Sequence, residues 1–232
     1  MKLKVMTYNI RGDAAARRPD HIPKIAETIA AIQPDLVALQ EVHCRNRFSA
    51  RADQAAQIAG LTGLNVHFGR SCEMEGGDYG NAVLTRGSIE SARVHPLPGS
   101  GEPRSLLETG VRIDGAEIAF FVTHLAAWGR LLRRARLEQI AVLGDIIGRA
   151  TMPHLLAGDF NVPPPAGEMR TLLGHGHLRL CGDAREATFP LTRQRLDYIF
   201  GGPGWEVIDS EVVRRGPSDH WPVTATLALR EA

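Results

Sequence analysis

Asp159 and Asn161 stand two residues apart at the end of the run Pro153-His154-Leu155-Leu156-Ala157-Gly158-Asp159-Phe160-Asn161. In an extended chain residues i and i+2 point the same way, so a carboxylate and an amide emerge side by side while Phe160 turns into the core. Such a pair can simply start a turn, or it can hold a water molecule and an anion. Polar strand exits recur along the chain. Asn9 ends Thr7-Tyr8-Asn9-Ile10, Gln40-Glu41 closes Leu36-Val37-Ala38-Leu39, His124 follows Val122-Thr123, and Ser218-Asp219-His220 leads into Trp221-Pro222-Val223. Carboxylates, amides and imidazoles gathered in this way suit general acid–base work and the binding of a hard cation.

The elements that must position these groups follow from periodicity. His154 to Ala157 is too short for a helix and is bounded by Pro153 and Gly158, which predicts a buried strand. Leu3 to Ile10 reads as a strand. Asp20 is placed to cap a helix carrying Ile22, Ile25, Ile29 and Ile32 at helical spacing, and Pro34 stops its continuation. A second helix has Ala52, Ala55, Ala56 and Ala59 on one face and Gly60 at its end. Leu64–Phe68 and Tyr79–Leu84 read as strands separated by an acidic loop, Glu73 to Asp78. Asp114-Gly115 predicts a hairpin between Leu106–Ile113 and Glu117–Val122. A helix from about Gly129 to Gly148 presents Leu132, Ala135, Val142, Leu143 and Ile146, with Arg130, Arg133 and Arg134 on the opposite face. A short helix reaches Leu173, a loop runs to Ala187, and Arg195–Phe200, Trp205–Val213 and Trp221–Leu229 close the chain as strands.

Composition bounds the function. The 232 residues are 44% apolar and 23% charged, an ordinary globular balance without a low-complexity divider, and residues 1–232 read as a single domain. A formal charge of +1 provides no global field for nucleic acid or an anionic membrane. Cys44, Cys72 and Cys181 follow no metal or disulfide spacing, which implies reduced thiols with at most a stray pair. Met1 to Met6 runs straight into strand-like sequence without a leader pattern, and no stretch approaches the ~20 apolar residues of a membrane span. The expectation is a cytoplasmic monomer. His175-Gly176-His177 imitates a zinc motif, but it lacks a nearby third ligand and reads as a solvated loop. Tyr8-Asn9 with Phe160-Asn161, and Thr123-His124 with Asp219-His220, hint at an internal duplication.

Thr7-Tyr8-Asn9-Ile10, Gln40-Glu41-Val42, Tyr79-Gly80-Asn81-Ala82-Val83-Leu84, Val122-Thr123-His124-Leu125, Gly158-Asp159-Phe160-Asn161, Arg195-Leu196-Asp197-Tyr198-Ile199-Phe200 and Ser218-Asp219-His220-Trp221-Pro222-Val223 occur in that order over nearly the whole chain. In this the sequence resembles the endonuclease/exonuclease/phosphatase superfamily of deoxyribonuclease-like, metal-dependent phosphohydrolases. The resemblance implies an α/β (α+β) four-layer sandwich, two packed mixed β-sheets flanked by helices, with the site at one edge. It also implies roles. Glu41 matches the metal-ligating carboxylate, Asn9 its partner beside the metal, and Asp219 a residue beside metal and phosphate. Asp159 and Asn161 match the pair that handles the attacking water and the phosphate. His220 matches the essential histidine, Asp197 its carboxylate partner and His124 a phosphate-facing histidine. Arg104 lies where relatives carry a phosphate arginine, and Asn81 and Arg130 are further candidates for substrate contact.

Phosphate-ester hydrolysis needs such groups because negative charge opposes water and grows in the transition state. Mg²⁺, with Mn²⁺ as a substitute, takes oxygen ligands and few protein carboxylates, which suits Glu41 and the Asn9 amide. Either Asp159 or His220 could take the water's proton. Asp197 on the far ring nitrogen would fix the His220 tautomer. The implied activity is phosphodiester cleavage, with a phosphomonoesterase, a DNA endonuclease and an inactive binding module as alternatives. The substrate would be a small molecule, a lipid head group or a nucleic acid. Balanced charge and the lack of an aromatic-rich basic segment weigh against avid duplex binding.

Overall fold

The structure, a computed structural model, describes residues 1–127 and 129–230. Two six-stranded sheets are packed face to face between two pairs of helices. In chain order the elements are β1 (Lys2–Asn9), a 3-10 turn (Gly12–Ala16), α1 (His21–Ile32), β2 (Leu36–Cys44), α2 (Gln54–Thr62), β3 (Asn65–Met74), β4 (Gly77–Thr85), β5 (Ser88–Leu97), β6 (Arg104–Ile113) and β7 (Ala116–His124). They continue with α3 (Arg133–Ile147), β8 (His154–Asp159), α4 (Gly167–Gly174), β9 (Arg179–Leu180), β10 (Asp197–Gly201), β11 (Trp205–Val212) and β12 (Val223–Leu229).

Three apolar layers hold the four structural layers together, and strand alternation assigns residues to them. Leu3 and Val5 of β1, Leu36 and Ala38 of β2, Phe120 and Val122 of β7, Leu155 and Ala157 of β8 and Ile199 of β10 meet between the sheets. Their sequence neighbours face outward. Met6, Tyr8, Val37 and Leu39 pack against Ile22, Ile25 and Ile29 of α1 and Ile58 of α2. Phe121, Leu156, Tyr198 and Phe200 pack against Ile140, Leu143 and Leu172 of α3 and α4.

The two sheets repeat one plan, β11-β12-β1-β2-β4-β3 and β5-β6-β7-β8-β10-β9. In each, one parallel pair (β1 with β2, β7 with β8) is joined by a crossover helix, and the neighbouring pairs are antiparallel. A duplication is therefore visible, though not with the partners that the sequence suggests. β1 corresponds to β7 and β2 to β8, so Asn9 is the counterpart of His124, and Gln40 that of Asp159.

Several boundaries differ from the sequence expectation. β2 does not stop at Gln40-Glu41 but passes through a bulge between Leu39 and Val42 and runs on to Cys44. The acidic loop 73–78 is a two-residue hairpin turn, with Glu75 and Gly76 both at positive φ, and Glu73, Met74, Gly77 and Asp78 belong to strands. Gly60 lies inside α2, whose terminating residue is Gly63, and Ala56 is exposed while Ile58 faces the core. Asp20 occupies the position before α1 without a side-chain cap and pairs with Lys24 instead. α3 starts at Arg133, so Leu132 and Arg130 precede it, and its buried face runs through Ala135, Arg136, Gln139, Ile140, Leu143 and Ile147. β9 interrupts the loop expected to reach Ala187. The Asp114-Gly115 hairpin forms as expected. All three cysteines are free. The His175–His177 segment is a largely exposed loop as expected, with His177 exposed and His175 half-buried, and the two rings lie over Gly144 of α3 and Gly148 at its end.

Gly158 is required by close approach. A Cβ there would lie 2.0 Å from the Thr123 carbonyl oxygen on β7. We expect Gly158→Ala to force β8 away from β7 and cost about 1–3 kcal/mol in a denaturation experiment, and to lower activity through the displaced Asp159.

Candidate active site

Four candidate residues continue the parity of the layer between the sheets. Asn9 extends the Leu3, Val5 series on β1, and His124 extends Phe120, Val122 on β7. Asp159 extends Leu155, Ala157 on β8, and Asp197 begins the series of Ile199 on β10. Apolar alternation thus delivers polar side chains to one edge, where the inter-sheet layer opens to solvent. Glu41 has the wrong parity. The β2 bulge, with Glu41 at φ 58°, turns its carboxylate back to the same edge.

The Asn9 side chain joins the halves. Its Nδ2 donates to Glu41 Oε1 (2.9 Å) and to Asp159 Oδ2 (3.0 Å), while its Oδ1 accepts from the Arg11 N–H (3.1 Å). The amide nitrogen thus faces the two carboxylates and the amide oxygen faces the Arg11 backbone. Asp159 Oδ1 accepts from the Asn161 N–H at 2.9 Å. Asn161 takes a left-handed φ of 52° and directs Nδ2 to the Leu125 carbonyl (3.1 Å) and to His124 Nε2 (3.0 Å).

The β11–β12 loop brings in His220. Ser218 Oγ donates to the Asn9 carbonyl at 2.7 Å, fixing the loop on β1. His220 Nδ1 meets Asp197 Oδ2 at 2.8 Å, its Nε2 lies 3.8 Å from Asp159 Oδ2, and the Phe189 ring covers it at 4.8 Å. Asp197 is fully buried, and its backbone N–H and that of Leu196 both donate to Thr188 Oγ1. Asp219 stands at the rim, paired with Arg11 at 3.1 Å.

Arg104, only 8% exposed, is not a solvated loop arginine. Its Nη1 lies 2.7 Å from His124 Nδ1 and 3.0 Å from Glu102 Oε1, and its Nε is buried without a partner. Glu41, Arg104, His124, Asp159, Asn161 and His220 all line one open cavity of about 300 Å³. Asn81 does not. It is buried in the seam between the sheets, donating to the Ser105 carbonyl at 3.3 Å. Nor does Arg130, which lines a separate cavity with Arg133 and Val162. Of the other two arginines of that run, Arg133 turns to Glu168 and Arg134 to Glu138.

Protonation follows burial and charge. Burial opposes the His220 imidazolium, but the Asp197 and Asp159 carboxylates outweigh it and raise the pKa to about 10. Burial, with the Asp197 charge adding to it, raises Asp159. Burial also raises Glu41, against the lowering effect of the Asn9 bond. His124, meeting donors at both ring nitrogens, is held neutral by burial first and then by the Arg104 charge. The folded pKa of His220 lies above the ordinary value of 6.5, so its contribution to stability is complete below that value and is lost as pH rises toward 10. Asp159, also raised, acts in the same sense at lower pH. In chelator, we expect the thermal midpoint to fall between about pH 7 and pH 10, with a shallower fall in Asp197→Asn.

The donor set fits a hard divalent cation. Glu41 and Asp159 bring carboxylate oxygens to one amide group, both are raised by burial, and Asp219 stands nearby. Asp159, Asp197 and His220 also place ligand-type atoms within 4.8 Å of one another. Within that trio Asp197 and His220 are joined by a direct hydrogen bond of 2.8 Å.

Two groups of residues had no signal as site residues. Arg136, 4% exposed inside α3, donates to the Ala127 carbonyl (2.6 Å) and the Gly129 carbonyl (3.1 Å), holding the loop that follows His124. His43, Phe48, Met74 and Tyr79 also line the cavity. The switch of β2 through its bulge and the tight 75–76 turn bring them there, and neither feature shows in hydrophobic periodicity.

The profile of the Endonuclease/Exonuclease/phosphatase family matches residues 6–220. The uncharacterized protein YbhP of Escherichia coli (strain K12) is 29% identical over 174 residues, 68% of this chain and 66% of its own length. An endonuclease/exonuclease/phosphatase from Beutenbergia cavernae superposes with a TM-score of 0.76 at 27% identity, covering 98% of this chain and 72% of its own. A mannosyl-6-phosphatase from Bacteroides thetaiotaomicron gives 0.78 at 23% identity, covering 98% and 100% of the two chains.

Proposed function

Because the chain belongs to the endonuclease/exonuclease/phosphatase family, whose members act on phosphoester bonds, we propose that it is a Mg²⁺-dependent hydrolase that cleaves a phosphodiester by attack of water. The observation that carries this reading is the buried Asp197–His220 pair directed at Asp159 in a cavity that also holds Glu41, Arg104, His124 and Asn161. A module that only binds has no physical need for an imidazole whose charge is maintained by two carboxylates.

Glu41, with Asp219 near it, would hold the cation, which supplies Lewis-acid neutralisation of the phosphate when bound. Asn9 orients the Glu41 and Asp159 carboxylates through its two hydrogen bonds. Asp159 takes the water's proton as the new P–O bond forms and the ester P–O bond breaks. His220, charged and locked by Asp197, uses its free Nε2–H against the negative charge that develops on phosphorus oxygens. Arg104 brings a fixed positive charge to the same oxygens, with neutral His124 and Asn161 positioned against it in the cavity lining.

A phosphomonoester is the second reading, supported by a cavity of about 300 Å³ that takes one phosphate and a small attached group. Among the described residues no helix is long and apolar enough to cross a membrane. The test is a panel of phosphodiesters and phosphomonoesters, DNA included, assayed with Mg²⁺ and with chelator. Hydrolysis of a diester that disappears on chelation is the expected result. Activity on monoesters alone selects the second reading, activity on DNA alone the endonuclease, and binding without turnover in any arm sinks the enzymatic one.

A further inference from the structure

The cavity lining holds two sets of groups of different chemistry. One set is assigned above to phosphate. The other is Phe48, Met74 and Tyr79, with His43 packed on Phe48 and Tyr79, and it is mostly apolar. Phe48 and Met74 are partly exposed, so both offer surface to the cavity. His43 and Tyr79 are 3% and 5% exposed and act as backing.

The apolar wall is held in place. The rings of His43 and Phe48 meet edge to face at 5.4 Å, and those of His43 and Tyr79 are 4.9 Å apart. Fully buried Asn46 fastens the Phe48 turn, accepting from the Ser49 N–H (3.0 Å) and donating to the Asp78 carbonyl (3.1 Å) on β4. An aromatic face fixed by such a network does not need to be ordered by its ligand.

The charges beside the wall limit what can lie on it. Asp13 and Glu102 also line the cavity, and Arg104, the one arginine of its lining among the described residues, already pairs with Glu102 at 3.0 Å. The adjoining cavity beyond Phe48 sets Arg17 and Arg47 against Asp13 and Glu75, so it adds no net attraction for anions. A second phosphate placed here would face carboxylates without a surplus cation.

We infer that Phe48 and Met74 form a specificity subsite for a flat, uncharged group attached to the scissile phosphate, an aryl or heteroaromatic ring on a small monomeric ester. This rests on the reading of the cavity as a phosphate-ester site and deepens it by naming the class of the attached group. A chain continuing through further phosphates is disfavoured by the same surface.

Non-hydrolysable ligands separate the subsite from the chemistry. Titrating the Mn²⁺-loaded protein with methylphosphonate, phenylphosphonate and methylenebisphosphonate reads the wall directly. Phenylphosphonate should bind at least about tenfold more tightly than methylphosphonate, and also more tightly than the bisphosphonate, after subtraction of metal chelation measured without protein. In Phe48→Ala the phenyl-to-methyl ratio should fall toward one, and in Phe48→Tyr it should be largely retained, which a merely structural role for Phe48 would not produce. A wild-type ratio near one, a ratio unchanged in Phe48→Ala, or tighter binding of the bisphosphonate would each overturn the subsite. If none of the three ligands binds, the phosphate-site reading itself fails and the subsite falls with it. Binding of methylphosphonate at a ratio of one removes the subsite alone.

Discussion

Asp197→Asn should slow turnover by roughly three to four orders of magnitude, the scale seen when the carboxylate of a His–Asp pair is lost, while metal affinity is retained. The local fold should survive. Asp197 is anchored by its backbone, with its N–H on Thr188 Oγ1 and its carbonyl accepting from Arg195 Nε at 2.8 Å, and neither bond involves the carboxylate. What the substitution removes is the acceptor for His220 Nδ1–H and the charge that keeps the imidazolium stable against burial. His220→Ala should cost at least as much. Because the two act as one unit, the double mutant should be little slower than the worse single mutant. Additive losses in a double-mutant cycle on kcat would show that the residues work independently and would remove both assigned roles.

Glu41→Gln is the second large effect. The neutral side chain can still accept from Asn9 Nδ2 through its Oε1, so the link between β1 and β2 is preserved. The charge is lost. Outer-shell partners of metal ligands typically account for 10–100-fold in affinity or activity, so a direct carboxylate ligand should cost more, about a hundredfold or greater in Mg²⁺ or Mn²⁺ affinity by calorimetric titration. Turnover at saturating metal should partly recover, because Asp159, Asp197 and His220 remain. Wild-type metal affinity in Glu41→Gln would show that the cation is held elsewhere.

The catalytic edge was legible where strand alternation alone decides direction. Asn9, His124, Asp159 and Asp197 each extend an apolar series whose parity can be counted in the sequence, and Phe160 falls in the core as counting requires. Glu41 was legible as a strand-end carboxylate but not in its orientation, which depends on a left-handed residue inside a bulge. Asn81 shows the limit of motif reading, because its neighbours place it in the seam and its side chain stitches β4 to β6. Arg130 falls outside α3 because the helix starts about a turn later than the periodicity predicts, and Arg136 gives no signal because an arginine at helical spacing normally reaches water. The wall of Phe48 and Met74 depends on a two-residue turn inside a run of acidic residues. There the charge pattern of an open loop conceals a tight hairpin.

β12 lies between β11 and β1, pairing Val223 with Thr7 and Ala228 with Lys2. During synthesis, β5, β6, β7 and β8 are made well ahead of β12 and can pair while β1, β2, β3 and β4 still lack the strand that completes their layer. His220 arrives with the same late segment, so the nascent chain has a nearly finished scaffold and no completed proton-handling pair. Joining β1 to β12 closes a loop of more than 200 residues, a contact of very high sequence separation that makes this step a candidate for the slow phase of folding. Until it happens, the open edge of β1 is an unpaired strand in need of protection, and a cell making this protein quickly would meet its aggregation risk there.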